Sequence, residues 1–222
     1  MEGLPETMRT ICITVNDDNY IRMGGLYGDN ASNSTSMSRT CQHHSERGVI
    51  AQFFYGIHAP KLGVETTLPY EVDSPGSGFK IGPKPTGCWL SHRALWAACL
   101  LLPDDLFFII EDDAKFPEDW SARVNQAVLD ATDFDVLYIG SCCTGDKPTR
   151  HVAGNVYEVQ WPFCTHGYIV RRSALHTLIE TQDEARCYAP IDVSLALHSL
   201  PKLKTRVVKP RILDQFDTEI LP

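Results

Sequence analysis

The chain has 222 residues, of which 28 are acidic and 20 basic, for a formal charge of −8. That balance argues against a protein that coats a polyanion, because phosphate binding draws its affinity from Lys and Arg. With 43% hydrophobic and 22% charged residues the chain can bury a core, which excludes a disordered or fibrous protein and predicts one domain over residues 1–222.

Thr10 to Val15 is a short β-branched run stopped by the turn formers Asn16 to Asn19, and reads as a buried first strand. Residues 24–38, rich in Gly, Asn and Ser, read as a long loop. Met37 to Arg47 predicts a helix ended by Gly48, and Val49 to Tyr55 a second strand. Strand, helix, strand is the rhythm of an α/β fold. Residues 60–85 carry repeated Gly and Pro without periodicity and form a second long loop.

Leu90 to Leu102 reads as a helix opened by Gly87, Leu106 to Ile110 as a buried strand, Trp120 to Ala131 as an amphipathic helix, and Asp135 to Gly140 as a strand. A polar connection, Ser141 to Asn155, precedes a strand at Val156 to Val159. Gly167 to Val170 leads into a helix over Ser173 to Thr181, and Thr205 to Val208 is the last strand. The whole predicts a mostly parallel central sheet flanked by helices.

The longest apolar stretch, Ala94 to Ile110, is broken at Pro103 to Asp105, so neither half approaches the roughly 20 residues of a transmembrane helix. Met1 to Thr7 has neither the basic start nor the apolar run of a secretory signal, and the eight cysteines form no Cys-x-x-Cys pair. Reduced thiols and a cytoplasmic protein are the expectation.

Three motifs carry chemistry. Glu111-Asp112-Asp113 follows the apolar strand directly, and the carboxyl edge of a parallel sheet is where α/β proteins place ligands. Alternation sends Glu111 and Asp113 one way and Asp112 the other. Carboxylate oxygens with substrate phosphates suit Mg²⁺ or Mn²⁺; the bland alternative is a solvated turn. Gly87 to His92 opens the helix before that strand, where free N–H groups, Ser91 and His92 can meet a phosphate, or where Trp89 simply packs a helix start. Thr165-His166-Gly167 and Pro190-Ile191-Asp192 form the third group: Gly167 marks tight packing or substrate approach, and Asp192 a helix N-cap or a general base.

In order and spacing, Gly87 to Trp96, Phe108 to Ala114, Asp135 to Gly140, Thr165 to Ala174 and Pro190 to Asp192 resemble glycosyltransferase family 25, the family of lipooligosaccharide and collagen hydroxylysine galactosyltransferases. The resemblance covers about residues 86–192. It implies a GT-A-like α/β domain, a UDP-sugar donor, Mn²⁺ or Mg²⁺, and inverting transfer of a hexose to a hydroxyl on a glycan, protein or other biopolymer. On that resemblance Glu111 and Asp113 hold the metal, and Asn16, Arg39, Ser91, His92, Glu111 and Asp112 contact the donor. His166 and Gly167 line the acceptor or donor loop, and Asp192 is the catalytic base. The first strand departs from the family pattern, which leaves Arg22 and Arg39 as rivals for one donor contact.

Three other readings stand beside this one. A metal-dependent phosphoesterase would need more acids or histidines converging on the triplet, and His151, His166 and His198 show no such spacing. A sugar-nucleotide-binding module would lack catalysis. A phage or viral enzyme glycosylating modified DNA bases would meet phosphate through Arg171, Arg172, Lys202, Lys204 and Arg206, a cluster that otherwise reads as a solvated face.

Overall fold

The computed structural model describes residues 8–14, 39–57, 83–141, 148–182 and 189–216, without the side chains of 39–41, 83 and 148. Asn16, Arg22, the Arg39 side chain, the 24–38 segment and most of 60–85 lie outside the described residues.

The apolar runs become strands: β1 (Met8–Thr14), β2 (Gln52–Tyr55), β3 (Leu106–Glu111), β5 (Val136–Gly140), β7 (Val156–Val159), β8 (Gly167–Arg171) and β9 (Thr205–Val208). With β6 (Pro148–Ala153) they form one sheet in the order β2-β1-β3-β8-β5-β9-β7-β6. β1 lies parallel to β2 and β3, and β5 parallel to β9. β8 is antiparallel to both β3 and β5, and β7 to both β6 and β9. The strands β1, β2, β3, β5, β6 and β9 therefore run one way, against β7 and β8. Because β8 is reversed, its first residues reach the same edge as the last residues of β3 and β5. A second, two-stranded sheet pairs β4 (Ala114–Lys115) with β10 (Asp214–Gln215).

The helices are α1 (Arg39–Glu46), α2 (Pro83–Cys99), α3 (Trp120–Ala131), α4 (Leu175–Thr181) and the single turn α5 (Ile191–Ser194). α1 ends as expected at Gly48, whose φ of +65° suits a residue without Cβ and lets Val49 N–H return to the His44 carbonyl at 2.9 Å. α2 begins at Pro83, seven residues before the expected Leu90, because Pro is compatible with a first helical turn. β6 falls inside the expected polar connection: as an edge strand bonded on one side, it needs no apolar alternation, and Arg150 and His151 are exposed. The helix expected from Ser173 starts instead as a 3₁₀ turn over Arg172–Ala174.

Alternation along the strands divides the core into two layers. Phe108, Ile110, Leu137, Ile139 and Ile169 face α3, where Trp120, Val124, Ala127 and Ala131 complete an apolar cluster. Phe107, Ile109, Val136, Tyr138, Tyr168 and Val170 face α2 and α4, against Trp89, Leu95, Trp96, Leu175 and Leu178. Among the described residues no helix is long and apolar enough to cross a membrane. Cys12, Cys88 and Cys99 form no disulfide, whereas Cys164 is disulfide-bonded, which departs from the expectation of reduced thiols throughout. Sequence spacing does not show which sulfurs folding brings together.

Candidate active site

Glu111 is the last residue of β3 and shares the parity of Phe107 and Ile109, so alternation sends it to the α2 side. There His92 Nε2 meets Glu111 Oε1 at 3.0 Å, and the Thr165 hydroxyl donates to the same oxygen at 2.6 Å. The Cys88 thiol lies 3.9 Å from it. The Glu111 side chain is 20% exposed. Burial alone pushes its carboxyl up, but the bonds from His92 and Thr165 outweigh it and hold the group below the usual carboxylate range.

The strand ends at Glu111 and a turn takes over, so alternation does not govern the next two acids. Asp112 Oδ2 accepts the Thr14 hydroxyl at 2.5 Å, and Asp112 N–H bonds the Ile13 carbonyl at 3.0 Å. Asp113 Oδ2 accepts Gln215 Nε2 at 2.6 Å from β10, while its buried Oδ1 has no hydrogen-bond partner among the described residues. Burial, with the charges of Glu111 and Asp112 adding to it, pushes the Asp113 carboxyl up to about 7. The triplet is thus a fixed cluster and not a solvated turn.

Gly87 to His92 sits inside α2 instead of opening it. Gly87 is the fifth helical residue, where N–H groups are already bonded within the helix, so the free-N–H reading of this motif does not hold. Ser91 is 1% exposed; its hydroxyl donates to the Gly87 carbonyl at 2.6 Å and accepts Ile57 N–H at 2.7 Å, tying the exit of β2 to α2. His92 is fully buried, with Nδ1 2.9 Å from the Tyr168 hydroxyl, which also accepts Trp96 Nε1 at 2.8 Å.

His166 and Gly167 reach the same edge at the start of β8. Glu111 N–H bonds the His166 carbonyl at 3.2 Å, yet the imidazole is 1% exposed and lies on Gly140. A Cβ at Gly140 would fall 2.4 Å from His166 Nε2, and one at Gly167 would fall 2.6 Å from Leu213. Tight packing therefore accounts for both glycines. Burial pushes the His166 imidazole below its ordinary value.

Asp192 is the second residue of α5, two past the N-cap position, which Pro190 occupies. Its Oδ2 accepts Cys164 N–H at 3.0 Å and its Oδ1 accepts Val193 N–H at 2.8 Å. Cys164 has φ +67°, a conformation uncommon for a side chain of its kind, and Asp192 helps to hold it. Glu111, Asp192 and Asp113 all act electrostatically on the Cys88 thiol, which burial pushes well up, so acids from two segments lie near one thiol.

Sequence reasoning passed over Cys88, Thr14, Tyr168 and Gln215. Cys88 and His92 lie four apart on one helix, which places them on one face and was a readable signal. Gln215 is 102 residues from Asp113 and had none. Of the basic cluster, Lys204 pairs with Asp133 at 2.6 Å and Arg206 with Glu158 at 3.3 Å. Arg171 and Arg172 donate to backbone carbonyls of Phe134, Thr132, Leu100 and Asp104.

Comparison with solved structures places this architecture beside the mannose-1-phosphate geranyltransferase of Thermus thermophilus, at a TM-score of 0.50 and 9% identity over 94% of this chain and 76% of that one. That likeness is one of fold. A glycosyltransferase involved in the glycosylation of the major capsid of PBCV-1 also aligns, at a TM-score of 0.47 and 11% identity over 91% of this chain and 82% of that one. In sequence, a glycosyltransferase 25 family member of Anopheles gambiae is 24% identical over 50% of this chain and 19% of its own length. The human inactive glycosyltransferase 25 family member 3 is 23% identical over 61% of this chain and 23% of its own. The chain thus spans about a fifth of the length of these curated relatives. The model of glycosyltransferase family 25 (LPS biosynthesis protein) matches residues 34–195. With that match spanning α1 to α5 and every described acid of the pocket, the chain belongs to glycosyltransferase family 25.

Proposed function

We propose that this chain is an inverting, metal-dependent glycosyltransferase that moves a hexose, galactose or glucose, from a UDP-sugar to an acceptor hydroxyl on a glycan, protein or other biopolymer. The observation that carries this reading is the acid cluster at the end of β3, in which each carboxylate has its own anchor and Asp113 Oδ1 is buried without a partner among the described residues. A buried carboxylate oxygen left unpaired beside two further acids is costly unless a cation meets it. The donor set there is oxygen, which suits Mn²⁺ or Mg²⁺ held by Glu111 and Asp113. Bound there, the cation would neutralise the diphosphate that leaves.

The chain's own residues would do the rest. Asp112, held by Thr14, and His92, held by Tyr168, fix the walls of the donor pocket. Asp192 would take the acceptor hydroxyl's proton as its oxygen bonds to the anomeric carbon and the bond from that carbon to the diphosphate breaks. Its two N–H contacts each leave a lone pair for that proton.

The test is a panel of nucleotide sugars with and without Mn²⁺, read by melting temperature, since a ligand of the folded state must raise it. A rise with UDP-hexoses that requires Mn²⁺ is expected; no response to any UDP-sugar in Mn²⁺ would overturn the donor assignment. The human relative's inactivity favours one second reading, a sugar-nucleotide-binding module without turnover. Donor binding with no release of UDP, with or without acceptors, would decide for it.

A further inference from the structure

Glu111 stands between two kinds of chemistry. Beyond it in sequence lie oxygen donors, Asp112 and Asp113; across the pocket on α2 lie a sulfur and a nitrogen. Cys88 Sγ, His92 Nε2 and Glu111 Oε1 all lie within 4.8 Å of one another. We propose that Cys88, His92 and Glu111 form a binding site for a thiophilic divalent cation, Zn²⁺ above all, which shares Glu111 with the carboxylate site proposed for Mn²⁺ or Mg²⁺ but takes its other ligands from α2.

The geometry is close to what zinc asks for. With Zn–S near 2.3 Å and Zn–N and Zn–O near 2.0–2.1 Å, a tetrahedral set spaces its ligand atoms roughly 3.3–3.6 Å apart. Two of the three separations bracket that range, at 3.0 Å for His92 Nε2 to Glu111 Oε1 and 3.9 Å for Cys88 Sγ to the same oxygen, and the third is within 4.8 Å. Side-chain torsions of Cys88 and Glu111 supply the adjustment that draws the three atoms to one centre. Cys88 and His92 project from one face of α2, more than a turn into a helix whose own bonds hold both in place. The fourth position can be filled by water, while the Thr165 hydroxyl, 2.6 Å from Glu111 Oε1, orients that carboxylate.

The surroundings supply what a metal-bound imidazole requires. A ligating histidine donates its other ring N–H to a fixed acceptor, which sets the tautomer. Tyr168 Oη, 2.9 Å from His92 Nδ1, is such an acceptor, and Trp96 Nε1 anchors that oxygen at 2.8 Å. With the proton on Nδ1, the Nε2 lone pair is free to meet a cation in place of its present contact with Glu111. The thiol of Cys88 is neutral without metal, so binding must release its proton and grow tighter as pH rises. Thiolate and imidazole together select Zn²⁺ over Mn²⁺ and Mg²⁺, whereas the carboxylates of Asp112 and Asp113 do not. Zinc here withdraws Glu111 from the donor-side cation; that consequence rests on the proposed transferase function, while the site itself does not.

The test is a titration of the chelator-stripped chain with Co²⁺, followed by displacement with Zn²⁺. Expected are an intense thiolate-to-cobalt absorption saturating at one equivalent, its loss on adding Zn²⁺, and its absence in Cys88→Ser. Tyr168→Phe should weaken Zn²⁺ at least about tenfold by removing the group that orients His92. Asp113→Asn should leave the cobalt band intact while abolishing Mn²⁺-dependent donor binding. No thiolate absorption in the unmodified chain, or the same Zn²⁺ affinity in folded Cys88→Ser, would overturn the site. A cobalt band in a chain that fails to bind any UDP-sugar would sustain the zinc site and sink the transferase reading alone.

Discussion

The two faces of the central sheet are built from the same strands and do different work. The α3 face is hydrocarbon nearly throughout: Phe108, Ile110, Val124, Ala127, Phe134 and Leu137 are all at most 4% exposed. The α2 face is threaded with polar atoms, from Trp89, Gln182, Ser194 and Ser199 at one end to Trp96, Tyr168, His92 and Glu111 at the other. Apolar packing tolerates small shifts, while a buried polar chain holds only when every member is met. Both faces bury large apolar clusters, but only the α2 face adds a buried hydrogen-bonded chain, and Glu111 lies on the side where that chain ties the geometry.

Asp192→Asn should give the largest effect. An oxygen remains for Cys164 N–H while the basic lone pair is weakened, so turnover should fall by about 10²–10⁴-fold with donor affinity unchanged. Steady-state kinetics with a separate donor titration checks this, and an equal loss of donor affinity would assign Asp192 to holding the Cys164 loop instead. Next comes Phe108→Ala on the α3 face, where a fully buried ring is lost: about 3–5 kcal/mol of stability by urea unfolding, with the Mn²⁺-dependent donor response retained in the folded fraction. Loss of that response at a temperature where the variant is folded would break the division between the faces.

Tyr168→Phe should cost less, about 1–3 kcal/mol, because it leaves the buried Trp96 N–H without its acceptor. Its effect should show in the His92 imidazole resonances by NMR before it shows in the melting curve. The smallest effect is expected at His44, on α1. Burial pushes its imidazole below the ordinary value near 6.5, against an opposing bond to the Ala114 carbonyl. The folded state therefore binds fewer protons than the unfolded one. The stability His44 contributes is fully present above about pH 6.5 and is lost as pH falls through its lowered folded value. His44→Gln should flatten the decline of melting temperature between about pH 7 and pH 5; an unchanged slope would place that decline on His43 and His166.

Much of this was legible in the residues themselves. Leu106 to Ile110 announces a buried strand because five apolar residues in succession can be satisfied only between two packed layers. The acid triplet after it announces a ligand edge for the same reason: charge cannot follow hydrocarbon without leaving the core there. The terminal Gly48 of α1, the full extent of α3 and the last strand at Thr205–Val208 followed from local chemistry that needs no partner. Local patterns read well where the controlling interaction lies within a turn or a strand.

What tertiary structure alone decided is which atom faces which. Reversal of β8 brings Thr165 and His166 to the end of β3, and no feature of Gly167 to Arg171 encodes that direction. The early start of α2 turned Gly87 to His92 from a helix opening into a helix face, so that Cys88 and His92 look across at Glu111. Gln215 reaches Asp113 from the far end of the chain, and Asp192 reaches Cys164 across 28 residues. Residue types state what chemistry is available, because charge, size and hydrogen-bonding capacity belong to each side chain. Distances between carboxylates, thiols and imidazoles belong to the packed sheet, because they are set by crossings and registers whose energies are summed over the whole core.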